Sequence, residues 1–108
     1  MIKKKYRLGA DFFTSQNIYT QYKDKIVLPG AHIFFFPSDN NYSRYACVLK
    51  KQLFSSHVSK NQFKRSFFSL IQQKNFHTQI TGKDIIVIIK QPTKKTLQNI
   101  TEVLTTLL

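Results

Sequence analysis

The residues of this chain best suited to chemistry are the cations of one short segment, residues 57–68. The segment reads HVSKNQFKRSFF. At 100° per residue, one flank of a helix over this segment carries three cations and an amide: Lys60, Asn61, Lys64 and Arg65. Lys and Arg side chains donate to phosphate oxygens, and an Asn amide both donates and accepts. This flank therefore predicts binding along a nucleic-acid backbone.

The flank beside these cations is apolar. Four side chains fall within a sector of about 100°, as expected of a helix that packs on a core: Phe63, Phe67, Leu70 and Ile71. Phe68 departs from this division, because its helical phase places it in the middle of the cationic sector. Two interpretations stay open for this ring, which could stack on a base or sugar or pack beneath a loop.

The simplest alternative for a run of cations is a solvated face with no partner. A helix that is merely soluble usually mixes charges of both signs. Here no Asp or Glu occurs between Tyr42 and Lys83. The absence of local acidic partners favours the binding interpretation.

The charge of the whole chain points to the same class of partner. Seventeen Lys and Arg residues against five Asp and Glu give a net charge of +12, which attracts polyanions such as nucleic acids and anionic membranes. The longest apolar run, Ile85 to Ile89, is far shorter than the roughly 20 residues that span a bilayer. We therefore expect a nucleic-acid partner and no membrane partner. A single cysteine, and the lack of an apolar block after the first lysines, predict a cytoplasmic protein.

The residue types that usually perform catalysis or bind metals are few and scattered. The acids lie far apart in the sequence, and each is explained as a helix cap or turn residue: Asp11, Asp24, Asp39, Asp84 and Glu102. The three histidines lack the spacing of metal ligands, and Cys47 falls in a predicted strand. The sequence therefore predicts no catalytic residue and no metal site in the protein itself.

A chain of 108 residues is expected to form a single domain, here an RNA-binding one over residues 1–108. Residues 1–8 form a basic arm, frayed or extended, and residues 75–83 a loop. Hydrophobic periodicity and turn residues predict helices over about 10–22 and 57–73 and from Pro92 onward, and strands over 31–36, 42–49 and 84–89. The turn at 38–41 makes the first two of these strands a hairpin, and Ser55 or Ser56 caps the second helix.

The order of elements, with a further short strand at 25–28, is α-β-β-β-α-β-α. A strand, a helix and another strand in succession indicate a parallel pair joined by a crossover helix. This pattern predicts an α/β (α+β) two-layer sandwich with a small mixed sheet. The run at 85–89 shows no alternation, as is typical of a central strand buried on both faces.

Three segments of the chain resemble the bacterial ribonuclease P protein family. Lys50-Lys51 precede a loop and a helix that begins KNQFKR, where the family has Arg-Asn-Arg followed by Lys-Arg and a further Arg. Tyr6-Arg7-Leu8 precede Asp11-Phe12-Phe13, and an apolar strand that begins at Asp84 ends before Pro92. Length, charge and element order agree, so the resemblance covers nearly the whole chain.

The chain departs from the family pattern at several positions. Lys60, Gln62 and Phe68 stand where the family has Arg, and the loop before the helix lacks the usual small Gly. A Lys in place of an Arg keeps the charge but loses the bidentate fork. The signature helix of the family is therefore diluted here.

The resemblance implies a fold and a function. The fold is the α/β sandwich with a left-handed crossover, and the protein is the subunit of a ribonucleoprotein that removes the 5′ leader of precursor tRNA. Hydrolysis is performed by ribonuclease P RNA with Mg²⁺ bound mainly by that RNA. Lys50 and Lys51 are expected to join the helix flank in contacting this RNA.

The resemblance also implies a cleft for the single-stranded leader, formed by the first helix and the open face of the sheet. Its aromatic candidates are Phe12, Phe13, Phe34 and Phe36. Alternation along a strand places Phe34 and Phe36 on one face and Phe35 on the other. Which face is open is not decided by the sequence.

Three other classes of protein compete with this interpretation. A different small basic RNA-binding protein, such as a ribosomal protein or an RNA chaperone, shares the charge and the fold class. A membrane-surface factor would bind anionic vesicles and show little salt-sensitive affinity for RNA. A free-standing nuclease is disfavoured by the scattered acids.

Overall fold

The computed structural model of the chain describes residues 3–8, 22–49, 54 and 56–108. Within these ranges the protein forms a mixed sheet with helices, as predicted. The elements are β1 Asp24–Leu28, β2 Ala31–Pro37, β3 Arg44–Leu49, α1 His57–Gln73, α2 Phe76–Gln79, β4 Lys83–Ile89 and α3 Lys94–Thr105. The helix predicted over about 10–22 falls almost wholly outside the described residues.

The strand that organises the sheet is β4. The strand order is β1-β2-β4-β3, with β4 antiparallel to β2 and parallel to β3. All five apolar residues from Ile85 to Ile89 are buried, because β4 has a neighbour on each side and each face of the sheet is covered. This confirms the central strand predicted from a run without alternation.

The predicted hairpin of the second and third strands is wrong. β3 pairs with β4 and not with β2, and it begins at Arg44 rather than Tyr42. The connection from β2 to β3 instead crosses the start of β4, where the N–H of Ser38 donates to the carbonyl of Gly82 at 3.1 Å and the N–H of Gly82 donates to that of Asn40 at 3.1 Å. By taking the middle position, β4 satisfies the backbone of its buried apolar run on both sides. A local turn signal does not encode this position.

The two faces of the sheet bury different sets of side chains. One face packs on the helices through residues such as Ile33, Phe35 and Tyr45. The opposite face holds a second cluster: Leu8, Phe34, Phe36, Ala46, Ile86 and Ile88. Phe34 and Phe36 therefore share a face and Phe35 takes the other, which confirms the alternation predicted for β2.

The helices begin at the residues that their caps dictate. Ser56 caps α1, its hydroxyl accepting from the N–H of Ser59 at 3.2 Å, and Thr93 caps α3 by accepting from the N–H of Thr96 at 3.2 Å. Each bond satisfies one of the N–H groups left free at a helix start. The start of α1 agrees with the prediction, and α3 begins at Lys94, two residues after the predicted Pro92.

The predicted loop over 75–83 is wrong in part. It contains the single-turn helix α2, and β4 begins at Lys83. Asn75 lies between α1 and α2 with φ of 56°, a left-handed conformation that Asn tolerates better than most residues. The change of direction at Asn75 brings Phe76 into the core, where it is buried.

The predicted basic arm is folded in its described part, residues 3–8, which we call the N-terminal segment. Lys4–Tyr6 form a 3-10 turn, in which the N–H of Arg7 donates to the carbonyl of Lys4 at 3.0 Å. Arg7 then makes a parallel bridge with Tyr45, and the N–H of Leu8 donates to the Tyr45 carbonyl at 2.8 Å. The N-terminal segment thus covers the edge of β3, because the backbone of that edge strand has bonding groups to spare.

The first residues of the parallel pair are locked by a salt bridge. Arg44 opens β3 and Asp84 lies opposite it on β4. Nε of Arg44 donates to Oδ1 of Asp84 at 2.8 Å, and Nη2 donates to Oδ2 at 2.6 Å. This bidentate contact raises the pKa of Arg44. It also fixes the register of β3 against β4, and α1 follows β3 in the chain.

Candidate nucleic-acid interface

The exposed flank of α1 carries the cations that the sequence predicted. Asn61, Lys64 and Arg65 are exposed and Lys60 is half-buried, while Phe67 and Ile71 on the apolar side are fully buried. Among the described residues, Arg44–Asp84 is the only salt bridge within 4.0 Å, so no described acid pairs with a cation of the flank. As far as the described part of the chain goes, these cations are available to an external anion.

A second set of cations joins this flank at one groove. Lys64 of α1 and Lys4 and Arg7 of the N-terminal segment line a cavity of about 310 Å³. The rest of its lining is Leu8, Ala46, Cys47 and Phe68. We call it the basic groove. It combines cations with apolar side chains, a pairing that suits a phosphate and the group attached to it.

The sequence analysis missed Lys4 and Arg7 as part of the site. They were included only in a general basic arm, since more than fifty residues separate them from Lys64. The bridge between Arg7 and Tyr45 brings them together. The Tyr6-Arg7-Leu8 motif is the available sequence signal, but a sequence motif does not show which distant residues lie beside it in the fold.

Phe68 lies in the core and not in an exposed cationic sector. Its side chain is 2% exposed, and its ring meets that of Phe67 edge-on at 5.2 Å between centroids. Helical phase was misleading because α1 is covered on two sides: the sheet buries one flank, and the N-terminal segment approaches the next. Packing is therefore the observed role of this ring, and it does not lie open to a base.

The aromatic candidates for a leader cleft are only partly described. Phe34 and Phe36 are 1% and 3% exposed, and the ring of Phe34 is flanked by that of Tyr22 at 5.1 Å and by the ammonium of Lys25 at 5.2 Å. Neither ring offers an open face in this structure. Phe12 and Phe13 lie outside the described residues, and so do Lys50 and Lys51. The binding roles of all six residues stay predictions.

Side chains with other chemistry are buried or isolated. Burial raises the pKa of the Cys47 thiol to about 12, and burial likewise raises the pKa of the Tyr45 phenol, although Ser43 donates a hydrogen bond to it at 2.7 Å. In the described part of the chain, no three His, Cys, Asp or Glu residues come close enough to hold a metal ion. None of the described helices has the length and apolar character to cross a membrane. What the described surface presents is cationic.

No family model matches this chain, and no curated protein does. Its fold does match solved structures. The RNase P protein of Staphylococcus aureus aligns with a TM-score of 0.73 at 23% identity, over 94% of this chain and 93% of that one.

Two further structures agree. A mutant of the S. aureus RNase P protein with defective mRNA degradation activity gives a TM-score of 0.71 at 24% identity, over 96% of this chain and 86% of that one. The RNase P protein of Thermotoga maritima gives 0.66 at 22% identity, over 94% of each chain. The chain therefore has, over nearly its whole length, the α+β fold of the bacterial RNase P proteins.

Proposed function

We propose that this chain is the protein subunit of a ribonuclease P. In this role it binds the catalytic RNA and the 5′ leader of precursor tRNA, and it assists endonucleolytic maturation of the tRNA 5′ end in the cytoplasm. The observation that carries the proposal is the acid-free cationic flank of α1, joined to the basic groove, on the fold that the RNase P proteins share.

The protein contributes binding to this reaction. Lys60, Lys64 and Arg65 donate to phosphate oxygens of the RNA, and Asn61 adds a neutral hydrogen bond. The basic groove extends the contact toward the N-terminal segment through Lys4 and Arg7. Each neutralised phosphate releases counterions and steepens the salt dependence of binding by about 0.7–0.9.

Hydrolysis belongs to the RNA in this proposal, with Mg²⁺ bound mainly by that RNA. The described acids support this division of labour. Asp84 is paired with Arg44. The other three described acids are exposed and lie in separate places: Asp24 in β1, Asp39 in the β2–β3 connection and Glu102 in α3. The protein's cations lower the repulsion between the two RNAs, which is the same service that additional magnesium would perform.

Reconstitution with a bacterial ribonuclease P RNA tests the proposal. At low magnesium, addition of the protein should stimulate release of the leader from precursor tRNA. The double variant Lys64→Ala/Arg65→Ala should lose this stimulation and lower the salt slope of RNA binding by about 1.4–1.8, the share of two phosphate contacts.

The matched control is Lys94→Ala/Lys95→Ala, which removes the same charge from exposed positions at the start of α3. This control should keep most of the stimulation. Equal losses in the two double variants would show that net charge and not the α1 flank is responsible. Tight RNA binding without any stimulation by the unmodified protein would refute the subunit role and leave a general RNA-binding protein, such as a ribosomal protein or an RNA chaperone.

A further inference from the structure

An aromatic cluster lies at the β3 edge, outside the basic groove. The ring of Tyr6 meets that of Tyr42 edge-on at 5.3 Å and that of His77 at 4.5 Å. The ammonium of Lys5 lies 5.0 Å from the centre of the Tyr6 ring and 5.1 Å from that of Tyr42. We call these four residues the aromatic cluster. They join three parts of the chain: the N-terminal segment, the β2–β3 connection and α2.

Tyr42 and His77 lie in a part of the protein that is held by several hydrogen bonds. His77 is 9% exposed, and its carbonyl accepts from the N–H of Ser43 at 3.0 Å. The hydroxyl of Ser43 is bonded in turn to Tyr45 and to the carbonyl of Phe76, at 2.7 and 3.1 Å. His77 and Ser43, which follows Tyr42 in the chain, are therefore held to the body of the protein by contacts that do not involve the N-terminal segment.

Tyr6 connects the N-terminal segment to Tyr42 and His77. Lys4, two residues before it, lines the basic groove together with Lys64. The like charges of Lys4 and Lys64 repel one another, so the turn that carries Lys4 needs an attachment that holds it in place. The backbone bond of Leu8 to Tyr45 secures one end, and the ring of Tyr6 secures the turn that carries Lys4.

We propose that Tyr6 is a positioning residue for RNA binding, clamped by Tyr42 and His77 so that Lys4 stands at the basic groove with Lys64. This inference rests on the proposed function. Tyr6 does not itself contact the RNA in this account. Its ring keeps the Lys4 cation at the groove before RNA arrives, so the ordering of this turn does not have to occur on binding.

The test measures affinity for a bacterial ribonuclease P RNA between about 50 and 200 mM salt. The variant Lys4→Ala removes one cation and should lower the salt slope by about 0.7–0.9. Tyr6→Ala removes no charge but should lower the slope by a similar amount, because Lys4 leaves the groove. Tyr6→Phe keeps the ring and should retain the slope of the unmodified protein.

A double variant separates positioning from an independent effect. Adding Tyr6→Ala to Lys4→Ala should reduce the slope no further, since the cation that Tyr6 positions is already gone. A role confined to stability would lower the melting temperature of Tyr6→Ala and leave its slope unchanged at temperatures where circular dichroism shows the folded state. An unchanged slope in Tyr6→Ala, or a further loss in the double variant, would overturn the inference.

Tyr42→Ala provides a second route to the same answer. It removes the facing ring without altering the N-terminal segment, so it should reproduce the slope of Tyr6→Ala and serves in its place if Tyr6→Ala does not fold. A Tyr42→Ala variant with the full slope would count against the clamp. A lack of salt-dependent RNA binding by the unmodified protein would instead overturn the proposed function, and the inference with it.

Discussion

Removal of Arg44 should destabilise the fold strongly for a residue that is partly exposed. The variant Arg44→Ala leaves the carboxylate of Asp84, which is 4% exposed, without its two donors. Breaking one partner of a buried ion pair costs about 3–5 kcal/mol. The side chain of Arg44 is 34% exposed, so water can enter the vacated space, and we expect a loss of about 2–3 kcal/mol.

Urea denaturation at pH 7 and 25 °C provides the measurement. Arg44→Lys keeps the charge but loses the fork, so its free energy of unfolding should lie between those of the unmodified protein and Arg44→Ala. The double variant Arg44→Leu/Asp84→Leu replaces both partners and leaves no buried charge, so it should be more stable than Arg44→Ala.

A double-mutant cycle decides whether the pair acts as a unit. Asp84→Leu and Arg44→Leu should show a coupling energy of at least about 1 kcal/mol, because each removes the partner that the other residue needs. A loss below about 0.5 kcal/mol in Arg44→Ala, or single effects that add within about 0.5 kcal/mol, would refute the view that this contact locks β3 to β4.

Two further predictions concern Phe68 and Cys47, which line the basic groove. Phe68→Arg, which restores the residue type of the family pattern, should destabilise the fold by about 3–5 kcal/mol, since it buries a charge and removes a core ring. In thermal denaturation Phe68→Leu should cost much less, and a Phe68→Arg protein as stable as the unmodified one would contradict the core position of this ring. Cys47 should react slowly with iodoacetamide at pH 8 while the protein is folded and quickly once it is unfolded, because folding raises the pKa of its thiol from the ordinary 9.0 to about 12. The folded state then holds a proton that the unfolded state releases, so stability should fall as the pH rises through this window, and a Cys47→Ala variant should lack that part of the fall.

The elements that the sequence predicted well are those with a local signal. The helix over 57–73 was predicted to the residue, because the apolar stripe ending near Ile71 and the cap at Ser56 are both written in neighbouring positions. The central strand followed from an uninterrupted apolar run. In each case the periodicity of one segment reports which of its sides is buried.

The pairing of strands could not be predicted in the same way. Asn40 and Asn41 indicate a turn, and a turn between two apolar strands favours a hairpin. The insertion of β4 depends on a segment some forty residues further along the chain, which is paired and buried on both sides by lying between the two strands. Long-range competition of this kind leaves no mark on the turn itself.

The candidate site divides along the same line. Lys60, Asn61, Lys64 and Arg65 were found together because a single helix presents them. Lys4 and Arg7 come to that helix only through the bridge to Tyr45. Phe68 is covered partly by residues of other elements, which a helical wheel of α1 does not include. The sequence thus predicted the cations of one element and missed those supplied by a distant one.

The central position of β4 also sets the order in which the protein can fold. As the chain emerges during synthesis, β2 and β3 are complete while the strand that must lie between them is still missing. Each of them therefore exposes an unpaired apolar edge until Ile89 is available, and such edges are prone to pair with other chains. Closure of the sheet is a late and non-local step, which is expected to be slow for a protein of this size.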